Sequence, residues 1–278
     1  MLIAHKTRLH PNNKQLSFFR KCSGVRRFAY NWALGEIKRQ YEDDEVRLSI
    51  GDVDKLFNVA KKEHFDWAYE VPSCVGQEAI KSDLKSGMNN FFRNIKKGVK
   101  AGYPKFKSRG AYDSFTLTNV VVKDSSVIGK KLKLPKKMGT VRLGDAIRFK
   151  GRLMSTTISR RGERWYASFL IKTEEDIEYP TPDADTEIGI DLGVRHFASL
   201  SNGEIFEPAG SYNKYKDRLK REQRKLAKMQ QPDYKGKIKA SNNWKKQNEK
   251  VRKIYRKITS MRENYSHQVS TNIVNRFE

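Results

Sequence analysis

The chain has 278 residues, with 57 Lys and Arg against 32 Asp and Glu, which gives a net charge of +25 and a pI near 9.9. Such a basic protein is typical of one that binds a polyanion, and nucleic acid is the leading candidate. No window approaches the roughly 18 consecutive apolar residues of a membrane-spanning helix, and the N-terminus lacks the apolar core of a signal peptide. We therefore expect a soluble, cytoplasmic protein.

The first third is predicted to be mainly helical. A short strand over residues 2–9 precedes a helix in which apolar residues recur at helical spacing over residues 16–37. A second helix is predicted over residues 51–64, and a third from about residue 73 to residue 92. Glycines and a proline over residues 98–104 then end the helical pattern.

The middle of the chain changes to short alternating runs. These runs are rich in β-branched and aromatic residues and are separated by turns that contain glycine, which favours an antiparallel barrel or sheet. We interpret the acidic, proline-containing residues 174–182 as a linker. The predicted strands span residues 114–118, 120–122, 131–134, 147–150, 155–159 and 165–171.

The last hundred residues place one acid in an apolar setting. Asp191 interrupts an apolar, glycine-flanked run over residues 187–194, which predicts a buried strand, and two further short strands are predicted by residue 207. From Ser211 onward there are 20 Lys or Arg against 6 Asp or Glu. Charge runs are usually solvated helix faces, but an apolar stripe here predicts two antiparallel helices with a break near residues 231–233.

Metal-binding patterns are sparse. Cys22 and Cys74 do not form a C-x-x-C pair, so no zinc ribbon is encoded and both are expected to be reduced thiols in or near the core. His196 and His267 lack metal-ligand spacing, and we expect them to have surface or packing roles. The sequence therefore predicts no zinc.

Short motifs follow one another along nearly the whole chain: Arg8–Pro11, Arg27–Leu34, Phe91–Arg93, Gly102–Ser108, Ser114–Thr116, Trp165–Phe169 and Gly189–Val194. Their order resembles the TnpB family, transposon-encoded RNA-guided proteins from which the type V CRISPR effectors descend. The resemblance implies an α+β multidomain protein, with a wedge-type antiparallel β-barrel, a helical recognition insert, and a partial RuvC or ribonuclease-H-like domain with long basic helices. The implied domains are the first wedge strand at 1–10, the recognition domain at 11–110, the wedge barrel at 111–178 and the partial RuvC-like domain at 179–278.

The family cleaves DNA with three acids and two divalent metals. Asp191 matches the first acid, whereas the second and third acids, and the cysteine ribbon between them, would follow Glu278 and are expected to be absent. Asp191 is then a remnant, insufficient alone, and at most holds an adventitious cation. Losing the next strand would leave the strand of Asp191 with an unpaired edge. Either another element covers that edge or the native polypeptide continues.

The resemblance also assigns nucleic-acid contacts. Gln77, Thr118 and Asn119 match positions near which the family reads a short motif beside its DNA target, and amide and hydroxyl groups suit base edges. The aromatic residues near Arg26 and Arg27 have an alternative role, packing in the helical core. Residues expected to contact the backbone or stack on bases are Arg26, Arg27, Tyr30, Asn31, Trp32, Lys81, Arg93, Lys105, Lys107, Ser108, Arg109, Lys214, Lys216, Lys220, Arg224 and Lys228.

Three functions remain open. The first is RNA-guided, sequence-specific binding of double-stranded DNA without cleavage, as a transcriptional repressor in the bacterial nucleoid, with guide RNA as partner and no cofactor required. The second is an RNA-guided DNA endonuclease of the TnpB type, shown without its C-terminal third, which would require Mg²⁺. The third, a basic nucleic-acid-binding protein without a guide, explains the charge but not the ordered motifs. Whether two chains associate is left open.

Overall fold

The computed structural model separates into two compact units, Met1–Ile177 and Glu178–Glu278. None of the helices it describes is long and apolar enough to cross a membrane. Arg109 and the predicted linker at 174–182 lie outside the described residues. The residues described are 1–108, 113–173, 187–233 and 238–277.

The first unit combines helices with one large sheet. Its strands are β1 (Leu2–His10), β2 (Ser114–Thr118), β3 (Val127–Ile128), β4 (Lys131–Lys133), β5 (Thr140–Leu143), β6 (Arg152–Arg161) and β7 (Arg164–Lys172). Its helices are α1 (Asn13–Asp44), α2 (Ile50–Glu63), α3 (Cys74–Glu78) and α4 (Lys85–Lys96), with 3₁₀ turns at Asp66–Glu70 and Asp124–Ser126 and a π-helical turn at Ala79–Leu84 between α3 and α4.

A capping box fixes the start of α1. The Asn12 side chain accepts a hydrogen bond from the Gln15 amide at 2.9 Å, and the Gln15 side chain accepts one from the Asn12 amide at 3.0 Å. The side-chain nitrogen Nε2 of the buried Gln15 also donates to the carbonyls of Met138 and Thr140. The same residue therefore begins the helix and anchors it to the sheet.

The sheet is antiparallel, with the strand order β2-β6-β7-β1-β5-β4-β3. β1 pairs with both β7 and β5, so the strand that precedes the helices lies between strands that follow them in the chain. One core lies between the sheet and the first half of α1, where Phe19 contacts Trp165 and Phe115. The described pairings leave the sheet open, so the predicted barrel is not confirmed. The Asp124 carboxylate, in the turn before β3, accepts a hydrogen bond from the Leu153 amide of β6. At this position a side chain, and not a neighbouring strand, supplies the acceptor.

Two of the predicted strands are wrong. The amides of Val121 and Val122 both donate to the Thr118 carbonyl at 3.0 Å, which makes residues 120–122 a turn directly after β2. Residues 147–150 are irregular, although Ile147 and Phe149 still pack on the sheet core. The apolar content of both runs reflects packing of loops, and β5 was missed because it is short and half charged or polar.

A second core joins the later half of α1 to α2 and the segment from α3 to α4. Phe57 of α2 packs with Ala33 and Leu34 of α1 and with Ile80 and Leu84 of the π-helical turn. Because Ile80 and Leu84 are fully buried, the turn is fixed at both ends. This fixes the directions of the charged residues between them, which matter for the site below.

The second unit holds a small sheet and a helix pair. β8 (Ile190–Asp191), β9 (Ala198–Leu200) and β10 (Ile205–Phe206) form an antiparallel sheet in the order β10-β9-β8. Leu200 packs against Val269 and Ile273 of the last helix. The predicted helix pair is confirmed as α5 (Ser211–Ala227) and α6 (Asn242–Phe277), which pack through Leu219, Val251, Ile254 and Ile258.

The prediction of a buried strand around Asp191 is wrong. Only two residues form β8, which lies at the edge of its sheet and pairs with β9 alone among the described residues. Asp191 is exposed, Leu192 is 72% exposed and Val194 is fully exposed. A two-residue edge strand has too little paired backbone to bury the apolar run that surrounds it.

Candidate nucleic-acid interface

The first unit contains a cleft between α1 and the segment that follows α4. Pro104 lies against Gly87 of α4, Phe106 faces Gly35 of α1, and Lys107 lies beside Asn31. The segment thus runs along α1 in the opposite direction. We call this the Arg26–Lys107 cleft; its volume is about 410 Å³, and it is lined by Ser23, Arg26, Arg27, Asp83, Phe106, Lys107, Ser108 and Ser114.

Asn31 fixes the backbone of the loop at Lys107. Its side-chain oxygen accepts a hydrogen bond from the Lys107 amide at 2.7 Å, and its side-chain nitrogen donates to the Lys107 carbonyl at 3.0 Å. The Lys107 ammonium lies 4.0 Å from the centre of the Tyr30 ring. Asn31 therefore positions Lys107, and no free side chain of Asn31 is left for a phosphate.

Asp83, from the π-helical turn, joins two of the cations. The Arg26 guanidinium donates to both of its carboxylate oxygens at 2.7 and 2.9 Å, and the Lys107 ammonium donates at 2.8 Å. Burial alone would raise the pKa of Asp83, but the hydrogen bonds from Arg26 and Lys107 outweigh it and lower that pKa. Asp83 is therefore a carboxylate that holds two cations at the cleft.

Asp113 organises a second pair of cations. Arg27 lies 3.9 Å from one of its carboxylate oxygens, and Arg160 of β6 donates to the other at 3.1 Å. Four cations lie at or beside the cleft: Arg26, Arg27, Lys107 and Arg160. Their charge exceeds that of the two acids, Asp83 and Asp113, by two. Because the acids hold the cations in place and leave a positive surplus, the cleft suits an anion that makes several charge-assisted hydrogen bonds, such as a phosphate.

The predicted aromatic contacts lie in the helical core. Tyr30 is 5% exposed, and one face of its ring is covered by Lys107. Trp32 is half-buried and packs on Phe57 with ring centres 5.4 Å apart. The alternative of core packing describes both residues, and neither presents an open ring face to the cleft.

The residues predicted to read the target-adjacent motif meet at a second cleft. Gln77 of α3 and Thr118 of β2 line a cavity of about 470 Å³ together with Ser73, Val120 and Lys136, among others. Asn119 follows directly and is half-buried, with its amide bonded to the Met154 carbonyl. The structure thus brings amide and hydroxyl groups from distant segments to one opening, here called the Gln77–Thr118 cleft.

The remaining predicted cations of the first unit lie outside both clefts. Lys81 forms an ion pair with the buried Asp54 at 2.9 Å. Arg93 is exposed and donates to Asn90 at 2.8 Å, and Lys105 is exposed. The π-helical turn directs Lys81 to Asp54 and Asp83 to Arg26, so one turn serves two ion-pair clusters.

In the second unit the basic residues of α5 form a row. Lys216, Lys220, Arg224 and Lys228 follow at intervals of four residues and are all exposed, and the last three line one shallow groove with Asp217. Residues four apart lie on the same side of a helix, so these cations can follow a nucleic-acid backbone. Lys214 is also exposed but does not belong to this row.

Asp191 lies exposed on the edge strand β8. Its strand neighbour across the ladder is Ser199, and His196 nearby in the chain lies 3.1 Å from the Glu207 carboxylate. Within the described ranges, no group of three or more His, Cys, Asp or Glu is arranged to hold a metal ion. Cys22 and Cys74 lie buried in the first core, where burial raises the pKa of both thiols.

Sequence reasoning missed two residues that line the Arg26–Lys107 cleft, Asp83 and Phe106, and also Asp113, which pairs with Arg27 beside it. Asp83 and Asp113 were not recognised because acids in a basic chain give no sign of which cation they hold. Phe106 was included only in the Gly102–Ser108 motif and received no role of its own, since irregular segments carry no periodicity from which exposure can be judged. The sequence does contain one indication of exposure, which is the position of Phe106 between Lys105 and Lys107.

Comparison with known proteins places the chain among transposon-encoded proteins. Residues 168–278 match a family model described as a probable transposase, and residues 1–45 match one described as a helix-turn-helix domain. In this structure the latter residues form β1 and the single long helix α1. The solved structure "Cryo-EM structure of the Cas12f1-sgRNA-target DNA complex" aligns with 99% of this chain and 71% of that chain, at 13% sequence identity and a TM-score of 0.32.

Two curated relatives cover nearly the whole chain. One, from Escherichia coli K12, is named "Putative RNA-guided DNA endonuclease InsQ" and is 31% identical over 97% of this chain. The other, from Streptomyces pristinaespiralis, is named "Putative RNA-guided DNA endonuclease" and is 29% identical over 98% of this chain. The chain spans 63% and 64% of the lengths of these relatives. Together with the order of its motifs, these matches support assignment of the chain to the TnpB family.

Proposed function

We propose that this chain binds DNA under the direction of a guide RNA and holds a nucleic-acid backbone in the Arg26–Lys107 cleft. The observation that carries the proposal is the convergence of Arg26, Arg27, Lys107 and Ser108, which come from segments some 80 residues apart, on one cation-rich cleft. Phosphate contacts of this kind fix position without reading sequence. The names of the two curated relatives support RNA guidance.

Target choice is divided between pairing and the protein. Base pairing with the guide supplies most of the sequence information, while the protein recognises the shape and backbone of the heteroduplex. In this proposal the basic row of α5 contacts that backbone, and the Gln77–Thr118 cleft reads a short motif beside the target. The partners are thus a guide RNA and double-stranded DNA.

The proposal extends to binding without cleavage, which would repress transcription wherever the bound site overlaps a promoter. It is supported by the exposed position of Asp191 on a two-residue edge strand, where little paired backbone holds the carboxylate in place. Binding then needs the guide but no metal ion.

The second candidate is RNA-guided DNA cleavage. It is favoured by the names of the curated relatives and by the match of Asp191 to the first acid of the family's metal site. In this case Asp191 would hold Mg²⁺ together with further acids, and the ion would stabilise the charge that develops at the scissile phosphate.

One experiment separates these functions. The protein is purified with its co-expressed RNA from the full native reading frame, the RNA is sequenced, and matched and mismatched duplexes are offered with Mg²⁺. A discrete RNA and binding of the matched duplex without cutting support the proposal. Cutting of the matched duplex supports the second candidate, and a broad mixture of RNAs with equal binding of both duplexes would refute RNA guidance.

A further inference from the structure

Phe106 is an unusually placed aromatic residue. Its side chain is 58% exposed although it lines the Arg26–Lys107 cleft. A Cβ atom built on Gly35 would lie 3.9 Å from its Cε1 atom, so one edge of the ring rests on α1. Much of the ring therefore remains open at a cleft whose other walls carry charge.

The remaining aromatic groups near the cleft are already in use. Tyr30 lies in the helical core beneath Lys107, and Trp32 packs on Phe57. Phe106 is the one aromatic side chain among the described residues that line the cleft. An apolar ring and a set of cations thus share one opening of about 410 Å³, within the range of about 300–1000 Å³ that is usual for small-ligand sites.

The polar wall faces the same opening. Arg27 has only a long ion pair with Asp113, at 3.9 Å, and the Lys107 side chain is 40% exposed, so both can reach an additional anion. Ser23 and Ser108 add hydroxyl groups, although Ser23 already donates to the Phe19 carbonyl. The chemistry of the cleft therefore combines a flat apolar surface with donors for a phosphate.

We propose that the cleft holds one unpaired nucleotide, with its base stacked on Phe106 and its phosphate bound by Arg27 and Lys107. A base inside a duplex has both faces covered by its neighbours, whereas an unpaired base offers a free face to an aromatic side chain. This inference rests on the proposed function, because it assigns an unpaired position of the bound RNA or DNA to this cleft.

The test is a double-mutant cycle between Phe106 and single bases. Binding of the full chain to single-stranded RNA and DNA oligonucleotides is measured for the wild type, Phe106→Ala, Phe106→Leu and Phe106→Tyr. Removal of one stacking surface is expected to weaken binding about 5- to 100-fold for the Ala and Leu variants. The Tyr variant should bind as the wild type does, because it keeps the ring.

Oligonucleotides with one abasic position complete the cycle. The wild type should lose affinity when one particular base is missing, and Phe106→Ala should be indifferent to that same position. Phe92→Ala serves as the control, since Phe92 is 51% exposed but does not line the cleft. Whether RNA or DNA shows the coupling identifies the strand, and fully paired duplexes should show none.

Two results would overturn the inference. In one, Phe106→Leu binds as tightly as the wild type, which would assign Phe106 a packing role against α1. In the other, every abasic position weakens the wild type and Phe106→Ala equally. Either result could occur while a discrete guide RNA is still bound, so failure of this inference is distinguishable from failure of RNA guidance.

Discussion

Asp83 determines the geometry of the Arg26–Lys107 cleft at the scale of single residues. An acid lowers the positive charge of a phosphate site, yet here it holds Arg26 and Lys107 through three hydrogen bonds. Arg26 also donates to Ser114 of β2 at 2.9 Å, so the same guanidinium links α1, the π-helical turn and the sheet. The cleft therefore depends on the ionised state of one carboxylate.

Asp83→Asn is expected to lower the free energy of unfolding of the first unit by about 1.5–3 kcal/mol, the usual cost of losing hydrogen bonds to a charged group. The Arg26 and Asp83 side chains are only 16% and 19% exposed, so water replaces little of the loss. Urea unfolding followed by tryptophan fluorescence measures it, since Trp32, Trp67 and Trp165 belong to this unit. Glu42→Gln, in an exposed pair with Lys38, is the control. Equal effects of the two variants would contradict the role of Asp83.

Acid should reveal the same carboxylate. Because the pKa of Asp83 is lowered in the folded protein, its stabilising effect is fully present above the ordinary Asp value and is lost as the pH falls through its folded-state value. The stability difference between the wild type and Asp83→Asn should thus be constant near neutral pH and shrink on acidification below about pH 4. Urea unfolding at a series of pH values measures it, and a difference that does not shrink would be inconsistent with this ion pair.

The nucleic-acid contacts predicted for the site residues stay predictions, but the structure shows which of these residues come together. Arg26, Arg27, Lys107 and Ser108 were selected from the sequence and do line one cleft. Tyr30 was assigned a stacking role because Arg26 and Arg27 precede it on the same helical stretch. Its burial depends on α2 and the π-helical turn, which contact α1 from distant parts of the chain. Local pattern cannot supply that information.

At the scale of elements, long helices and the central strands follow from periodicity, whereas short elements depend on tertiary contacts. α1, α2 and β7 repeat their apolar residues often enough to define a face. β8 has two residues, and its exposure reflects the absence of a second neighbour among the described residues. The turn at residues 120–122 has the composition of a strand but bonds back to Thr118.

The basic row of α5 carries a prediction of its own. Lys220, Arg224 and Lys228 are replaced together by Gln. The slope of the logarithm of the binding constant for nucleic acid against the logarithm of the salt concentration should then become less steep by about 2 to 3, because three phosphate contacts are lost. The matched control replaces Lys245, Lys246 and Lys250 of α6, which removes the same charge from exposed positions that do not line the groove of the row. Titrations at several salt concentrations give both slopes. If the two triple variants have equal slopes, the row has no specific role.

The whole molecule combines a net charge of +25 with sites that are locally organised by acids. General attraction to nucleic acid follows from the charge and would be shared by any strongly basic protein. The similarity to TnpB-type relatives over nearly the whole chain is more specific than charge. The Arg26–Lys107 and Gln77–Thr118 clefts are also more specific, because each brings particular groups together from distant segments. The central claim is therefore that binding is directed by a guide, and charge alone is insufficient to account for it.

The most direct test offers matched and mismatched DNA duplexes to the protein purified with its own RNA from the full native reading frame, in the presence of Mg²⁺. We predict that the matched duplex is bound far more tightly than the mismatched one, that the preference disappears when the RNA is removed, and that the bound DNA remains intact. Equal binding of both duplexes would contradict RNA guidance, and cleavage of the matched duplex would contradict binding without cutting.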